Sequence, residues 1–160
     1  MVEISKTITL KLIFLISIIA LSSAFFIEYI LGHQPCNLCI LERIPYLLAL
    51  IIIVLNYKFI NLEKYFILSL ILIFFAATIL SLYHLGIEQG FIEESLVCDL
   101  KNGSNLLSKE DILKQLQEKN VSCKDVTFKI FGLSLTSYNI IISLLITYIT
   151  AKTYLSYDKN

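Results

Sequence analysis

The chain has 160 residues, 57% hydrophobic and 16% charged, with a mean hydropathy of +0.78 and a formal net charge of zero. A soluble domain of this size carries roughly 25% charged residues, so the composition excludes an ordinary soluble domain and points to an integral membrane protein. The 13 basic residues are scattered among 13 acidic ones, which leaves no basic face for nucleic acid, and neither a Gly-rich phosphate loop nor a G-x-S-x-G elbow occurs.

Four apolar segments follow one another: about Leu10–Leu31, Cys39–Leu55, Tyr65–Leu85 and Phe131–Ala151. A membrane-spanning helix needs about 20 mostly apolar residues, within a range of about 17–25. The first, third and fourth segments meet that length directly. The second meets it only if it begins near Cys39, with Glu42 and Arg43 in its first turns. Backbone polar groups in lipid must pair within the chain, so these segments are expected as helices despite the β-branched run Ile51–Val54. Ser22–Ala24 has the small residues of a signal-peptide cleavage site, but the apolar run continues through Phe25–Leu31. That exceeds the about 7–15 residues of a signal h-region, so the segment is read as a retained span. The sequence therefore predicts an all-α integral membrane four-helix bundle, a single domain over residues 1–160.

The connections are about Gly32–Leu38, Asn56–Lys64 and a long one, about Gly86–Ile130. Within the long one, Ser108 stands three residues before Asp111, a helix-capping pattern, and Ile112, Leu113 and Leu116 then share a face. This predicts a short amphipathic helix, lying on the membrane or simply solvated. Six lysines (Lys6, Lys11, Lys58, Lys64, Lys152, Lys159) fall on one side of the membrane, and Arg43 with six others (Lys101, Lys109, Lys114, Lys119, Lys124, Lys129) on the other. Six against seven leaves the positive-inside rule undecided. All four cysteines, Cys36, Cys39, Cys98 and Cys123, lie on the long-loop side. Disulfides persist outside the cytosol, so both termini are expected in the cytoplasm and the cysteine loops in the periplasm of a bacterial inner membrane.

The chemistry concentrates in "GHQPCNLCILERIPYLL", Gly32–Leu48. A Cys-x-x-Cys pair closes a small ring, and its thiolate is favoured at a helix N-terminus or beside a cation. Pro35 predicts a helix start just after it, placing Cys39 and Arg43 one turn apart on one face. Three readings compete. A four-cysteine zinc site lacks the spacing, because twenty-four residues separate Cys98 from Cys123. Two structural disulfides account for an even cysteine count, but a C-x-x-C ring closes too short a loop to stabilise much. This non-catalytic four-span protein also leaves Arg43 unexplained. The third reading is a relay in which one dithiol pair passes electrons to the other and on to a membrane-soluble acceptor.

"QPCNLCILERIPYLL", "YHLGIEQG", the late cysteine pair and "FKIFGLSLTSYNIIISLLI" resemble the DsbB family of disulfide bond formation proteins through all four spans and both cysteine loops. The resemblance implies a quinone-dependent oxidoreductase that reoxidises a DsbA-like periplasmic thiol oxidase, the system that keeps the periplasm oxidising. It implies that Cys98 and Cys123 form the disulfide that meets the partner, with Cys98 attacked. Cys36 and Cys39 then reoxidise that pair and pass two electrons to a membrane quinone, ubiquinone or menaquinone, with Cys39 nearest the ring. Arg43 is implied to hold the quinone, and His84 and Glu88, one turn apart at the outer end of the third span, to lie near it. The stretch Gly90–Cys98 lacks the proline and tryptophan that many relatives carry. In the related vitamin K epoxide reductase type the C-x-x-C lies near the last span, whereas here it precedes the second. Glu28 is expected at the interface, His33 in a loop, and Tyr46, Tyr65, Tyr83 and Tyr148 in the aromatic belts without chemistry.

The one-sided cysteines set the topology to be checked. Reporter fusions at Lys159 and within Asn56–Lys64 should behave as cytoplasmic, and a fusion near Asn102 as periplasmic. A periplasmic signal at Lys159 would overturn the scheme.

Overall fold

The structure, a computed structural model, describes residues 2–93, 122–124, 128–130 and 132–157. The amphipathic helix expected after Ser108, and Cys98 itself, lie outside the described residues. The elements are α1 (Val2–Tyr29), α2 (Asn37–Leu41), α3 (Ile44–Lys58), a 3₁₀ turn (Ile60–Leu62), α4 (Glu63–Glu88), a short hairpin of β1 (Lys129–Ile130) and β2 (Leu133–Ser134), and α5 (Leu135–Tyr157). Four helical stretches are long and apolar enough to cross a membrane: Lys6–Tyr29, Asn37–Lys58, Glu63–Glu88 and Leu135–Ser156. The chain is an all-α membrane bundle.

Each span packs on two others, in the cyclic order α1, α3, α4, α5, with the most extensive interface between α4 and α5. The bundle core is a cluster of Leu10, Ile13, Tyr46, Ala49, Ile53, Leu70, Phe74 and Ile146. Tyr46 and Phe74 meet edge to face, with ring centroids 5.6 Å apart, the arrangement that sets the positive ring edge against the negative face. Large apolar residues also cover the outside, among them Leu15, Phe26, Leu47, Leu72, Phe75 and Leu144. An outer surface of this kind is unfavourable in water and fits hydrocarbon.

The spans differ from the apolar segments at their ends, and each difference has a local cause. α1 stops at Tyr29 because the chain turns at Gly32, whose φ of +72° only glycine adopts without strain, and the N–H of His33 returns to the carbonyl of Ile27. The last span begins at Leu135 rather than Phe131. The chain ahead of it forms the hairpin, in which Lys129 pairs with Ser134 and Ile130 with Leu133, with Gly132 at φ +82°.

The second span is not the continuous helix expected from the sequence. Pro45 has no N–H with which to reach the carbonyl of Leu41, and the chain tightens there, the N–H of Arg43 bonding to Ile40 three residues back. The helix therefore breaks at Glu42–Arg43 into α2 and α3. Cys39 and Arg43 consequently belong to different segments, but Glu42 and Arg43 keep right-handed helical dihedrals and both Cys39 and Arg43 line the same cavity.

At the end of the bundle remote from the cysteines, Lys6 Nζ lies 2.7 Å from Glu63 Oε2, and each side chain is about one-tenth exposed. Buried charges are stabilising only while paired, and removing one partner of a buried pair costs about 3–5 kcal/mol. Lys6→Met should thus lower the thermal stability of the detergent-solubilised protein by that order, and adding Glu63→Gln should restore most of it. Equal stability of Lys6→Met and the wild type, read by thermal unfolding, would show that the pair contributes nothing.

Candidate functional site

Cys36 is the N-cap of α2. Pro35 fixes the approach, Cys36 takes an extended conformation (ψ 168°), and its sulfur accepts the N–H of Cys39 at 3.3 Å. The capping turn brings the two sulfurs to 2.8 Å from each other. Cys36 is buried, packed with Leu38, Ile87 and Cys123, whereas Cys39 is only partly covered. The adjacent Cys39 sulfur and burial hold the Cys36 thiol well above its ordinary range, while His84 pulls it the other way.

His84 enters from α4, 1% exposed, with Nε2 3.5 Å from Cys36 Sγ and Nδ1 2.9 Å from Glu42 Oε1. The tautomer with its proton on Nδ1 donates a hydrogen bond to the Glu42 carboxylate. Nε2 is then left facing the sulfur, able to take the thiol proton or to donate to a thiolate. Thr136, from the start of α5, donates to Glu88 Oε1 at 2.6 Å, and its oxygen lies 3.3 Å from His84 Nδ1. Glu88 Oε1 is 3.8 Å from His84 Nε2, and its Oε2 is buried with no hydrogen-bond partner among the described residues. His84 is thus inside the protein.

Arg43 donates from Nη1 to Glu28 Oε2, and its guanidinium lies 5.3 Å from the ring centroid of Phe25. Glu28, expected at the membrane interface, therefore holds Arg43 from α1. The adjacent Glu42 and Arg43 point to different neighbours, Glu42 to His84 of α4 and Arg43 to Glu28 of α1. Tyr46, expected to be a belt residue, is instead buried; it donates to Asn139 Oδ1, and Asn139 donates in turn to Ser81 Oγ at 2.8 Å. His33 lies in the loop as expected, its ring 5.2 Å from that of Phe128.

These groups share one cavity of about 590 Å³, a volume typical of small-molecule sites. Cys36, Cys39, Arg43, His84, Glu88 and Cys123 all line it. The rest of the wall is mainly aliphatic, from α1 (Ile16, Ile19, Ala20) and α5 (Ile142, Ile146, Ile149). Six of the seven residues that the sequence singled out are therefore together, and the seventh, Cys98, lies outside the described residues. Sequence reasoning missed Glu42 and Thr136 as members of the site. Glu42 carried a signal, an acid inside an apolar segment three residues after Cys39; Thr136 carried none.

A C-x-x-C dithiol with its sulfurs in contact at the end of a four-span bundle, beside an imidazole and an aliphatic cavity, is the equipment of a membrane protein of disulfide formation. The chain belongs to the DsbB family: the profile of Disulfide bond formation protein DsbB matches residues 6–153. It is similar to Uncharacterized protein RP370 of Rickettsia prowazekii (strain Madrid E), 35% identical over 144 residues that cover 87% of this chain and 81% of that protein. No solved structure matches the chain.

The His84 contact makes a measurable claim about Cys36. Loss of the imidazole in His84→Ala removes the influence that lowers the thiol pKa, so the titration of Cys36 should move upward. Alkylation of Cys36 in the reduced protein at pH 8, followed by peptide mass spectrometry, should slow roughly tenfold for each pH unit of that movement. An unchanged rate would mean that His84 packs against the sulfur without acting on it.

Proposed function

We propose that the protein is an inner-membrane thiol:quinone oxidoreductase that reoxidises a DsbA-like periplasmic thiol oxidase. The observation that carries this reading is the shared cavity, in which the C-x-x-C sulfurs, Cys123, a guanidinium and a buried imidazole border one aliphatic wall. Both termini and the Asn56–Lys64 connection lie in the cytoplasm in this scheme, and the cysteine loops in the periplasm.

In the proposed sequence, a thiolate of the reduced partner attacks Cys98 of a Cys98–Cys123 disulfide, and the partner's second thiol resolves the mixed disulfide. The partner leaves oxidised, and Cys98 and Cys123 remain as thiols. These reduce a Cys36–Cys39 disulfide by the same exchange, regenerating their own. Closure of the Cys36–Cys39 ring then releases two electrons and two protons. A bound ubiquinone or menaquinone supplies the acceptor for both, becoming the quinol, so the overall reaction balances without another oxidant.

The chain's own groups fit that task. In this reading Cys39, the more accessible residue of the pair, meets the acceptor, and Cys36 is the thiol beside the His84 imidazole. Glu42 fixes the tautomer that leaves Nε2 available to the thiol. Glu88, with one buried oxygen lacking a partner, is a second station for a proton between the imidazole and the cavity. Arg43 engages Glu28 through Nη1 and has five N–H donors in all, so donors remain for a quinone oxygen. The aliphatic residues of α1 and α5 would hold the ring and isoprenoid portion and exclude water.

Purified protein given a reduced thiol-oxidase partner should reduce a quinone analogue at a steady rate, and no rate with several quinones would sink the reading. Arg43→Gln should raise the KM for quinone and slow turnover, while exchange between Cys98–Cys123 and the partner continues. Cys36 and Cys39 should then accumulate as alkylatable thiols. Arg43→Lys keeps the charge but loses the planar fork, and an intermediate defect is expected. Wild-type quinone kinetics in Arg43→Gln would leave Arg43 as an anchor to α1 only.

A further inference from the structure

We infer that the site, in its dithiol form, is also a binding site for a thiophilic d¹⁰ cation, with Cys36, Cys39 and His84 as ligands and zinc as the representative ion. The ligand atoms of these three residues all lie within 4.8 Å of one another, with Cys36 and His84 buried and Cys39 half-buried. Thiolate and imidazole are the donors that zinc prefers. Zn–S and Zn–N bonds of about 2.3 and 2.0–2.1 Å at tetrahedral angles put a sulfur and a nitrogen ligand about 3.6 Å apart, and two sulfurs about 3.8 Å apart. Cys36 Sγ and His84 Nε2 stand at 3.5 Å. The two sulfurs, at 2.8 Å, must open by about one ångström, which a side-chain rotation of the partly exposed Cys39 supplies.

A second, independent feature points the same way. Histidines that bind metals almost always donate their other ring N–H to a carboxylate, which fixes the tautomer and raises the basicity of the ligating nitrogen. Glu42 Oε1 stands 2.9 Å from His84 Nδ1, and Nε2 points at the sulfurs. The sequence excluded zinc on the spacing of four cysteines. The ligand set here is different, with the third donor coming from α4, 45 residues beyond Cys39. All three ligand residues line the cavity, and a water from it can complete the tetrahedral shell.

Binding replaces two thiol protons by the metal and moves no electrons: two S–H bonds break, two Zn–S bonds form, and two protons leave. A sulfur committed to zinc is not available to form the Cys36–Cys39 bond, so metal occupancy and ring closure exclude each other. The redox state of the site therefore decides whether metal binds, and free zinc holds the reduced site out of turnover. This inference stands on the ligand geometry and does not depend on quinone being the acceptor.

The test uses the full chain in detergent, without partner or quinone, prepared in dithiol and disulfide forms and titrated with zinc against a chromophoric chelator. One zinc per chain should bind to the dithiol form and none to the disulfide form, in the same folded protein. Cobalt in place of zinc should give sulfur-to-cobalt charge-transfer absorption and the visible bands of a tetrahedral site. A Cys98→Ser/Cys123→Ser variant should keep the site, Cys36→Ser should lose the charge-transfer band, and Glu42→Gln should weaken zinc binding by about 10–100-fold. Equal uptake by the two redox forms, or loss of the metal in the Cys98/Cys123 variant, would overturn the inference. A chain that binds zinc in this way but reduces no quinone would keep the metal site and remove the proposed function, and the reverse result would do the opposite.

Discussion

The hydrogen bond between Glu42 and His84 is the interaction around which the site is arranged. It joins the residue before the Pro45 break to the middle of the last turns of α4, and it determines which imidazole nitrogen meets Cys36. Burying a carboxylate and an imidazole in a membrane protein is costly unless each is satisfied. Both are satisfied by each other, and Thr136 brings α5 into the same cluster through Glu88. Three spans thus meet in one polar cluster beside the Cys36 sulfur, which is held both by these contacts and by its packing with Leu38, Ile87 and Cys123.

The polar residues inside the bundle are organised at two levels below this cluster. Tyr46, Asn139 and Ser81 connect α3, α5 and α4, with Tyr46 and Asn139 in the cavity wall, and Lys6 with Glu63 ties α1 to α4 at the far end. Between them lies the aliphatic cluster around Phe74 and Ala49. Lipid provides no water to replace an internal hydrogen bond, so these pairs specify which helix faces which, a role that nondirectional apolar contacts serve poorly. The outside of the bundle is as apolar as its core, and hydrophobicity alone would not choose among rotations of the spans.

That difference explains what was legible in the sequence. The number of spans followed from segment length and charge content, because the cost of unpaired backbone in lipid leaves few alternatives. The membership of the cavity was legible through residues whose chemistry is out of place in an apolar run, such as Arg43 and His84. Which groups touch was not legible. Glu28 and Arg43 are 15 positions apart and meet because α1 packs against α3, a neighbour relation that no local pattern states. Pro45 was in plain view, but a proline near a helix start is also compatible with an unbroken helix, so the division of the second span into α2 and α3 was not. Thr136 and Asn139 resemble any polar residues of a span, and only their partners on α4 and α3 distinguish them.

The same break has a mechanical consequence. Because α2 is a separate turn of five residues joined to α3 through Glu42 and Arg43, the Cys-x-x-Cys unit lies ahead of the long helix of the second span rather than within it. The bond made and broken between its sulfurs belongs to that turn, and the packing of α3 against α1 and α4 lies outside the reacting unit. Oxidation and reduction at this end of the bundle therefore need not be transmitted as motion through the bilayer.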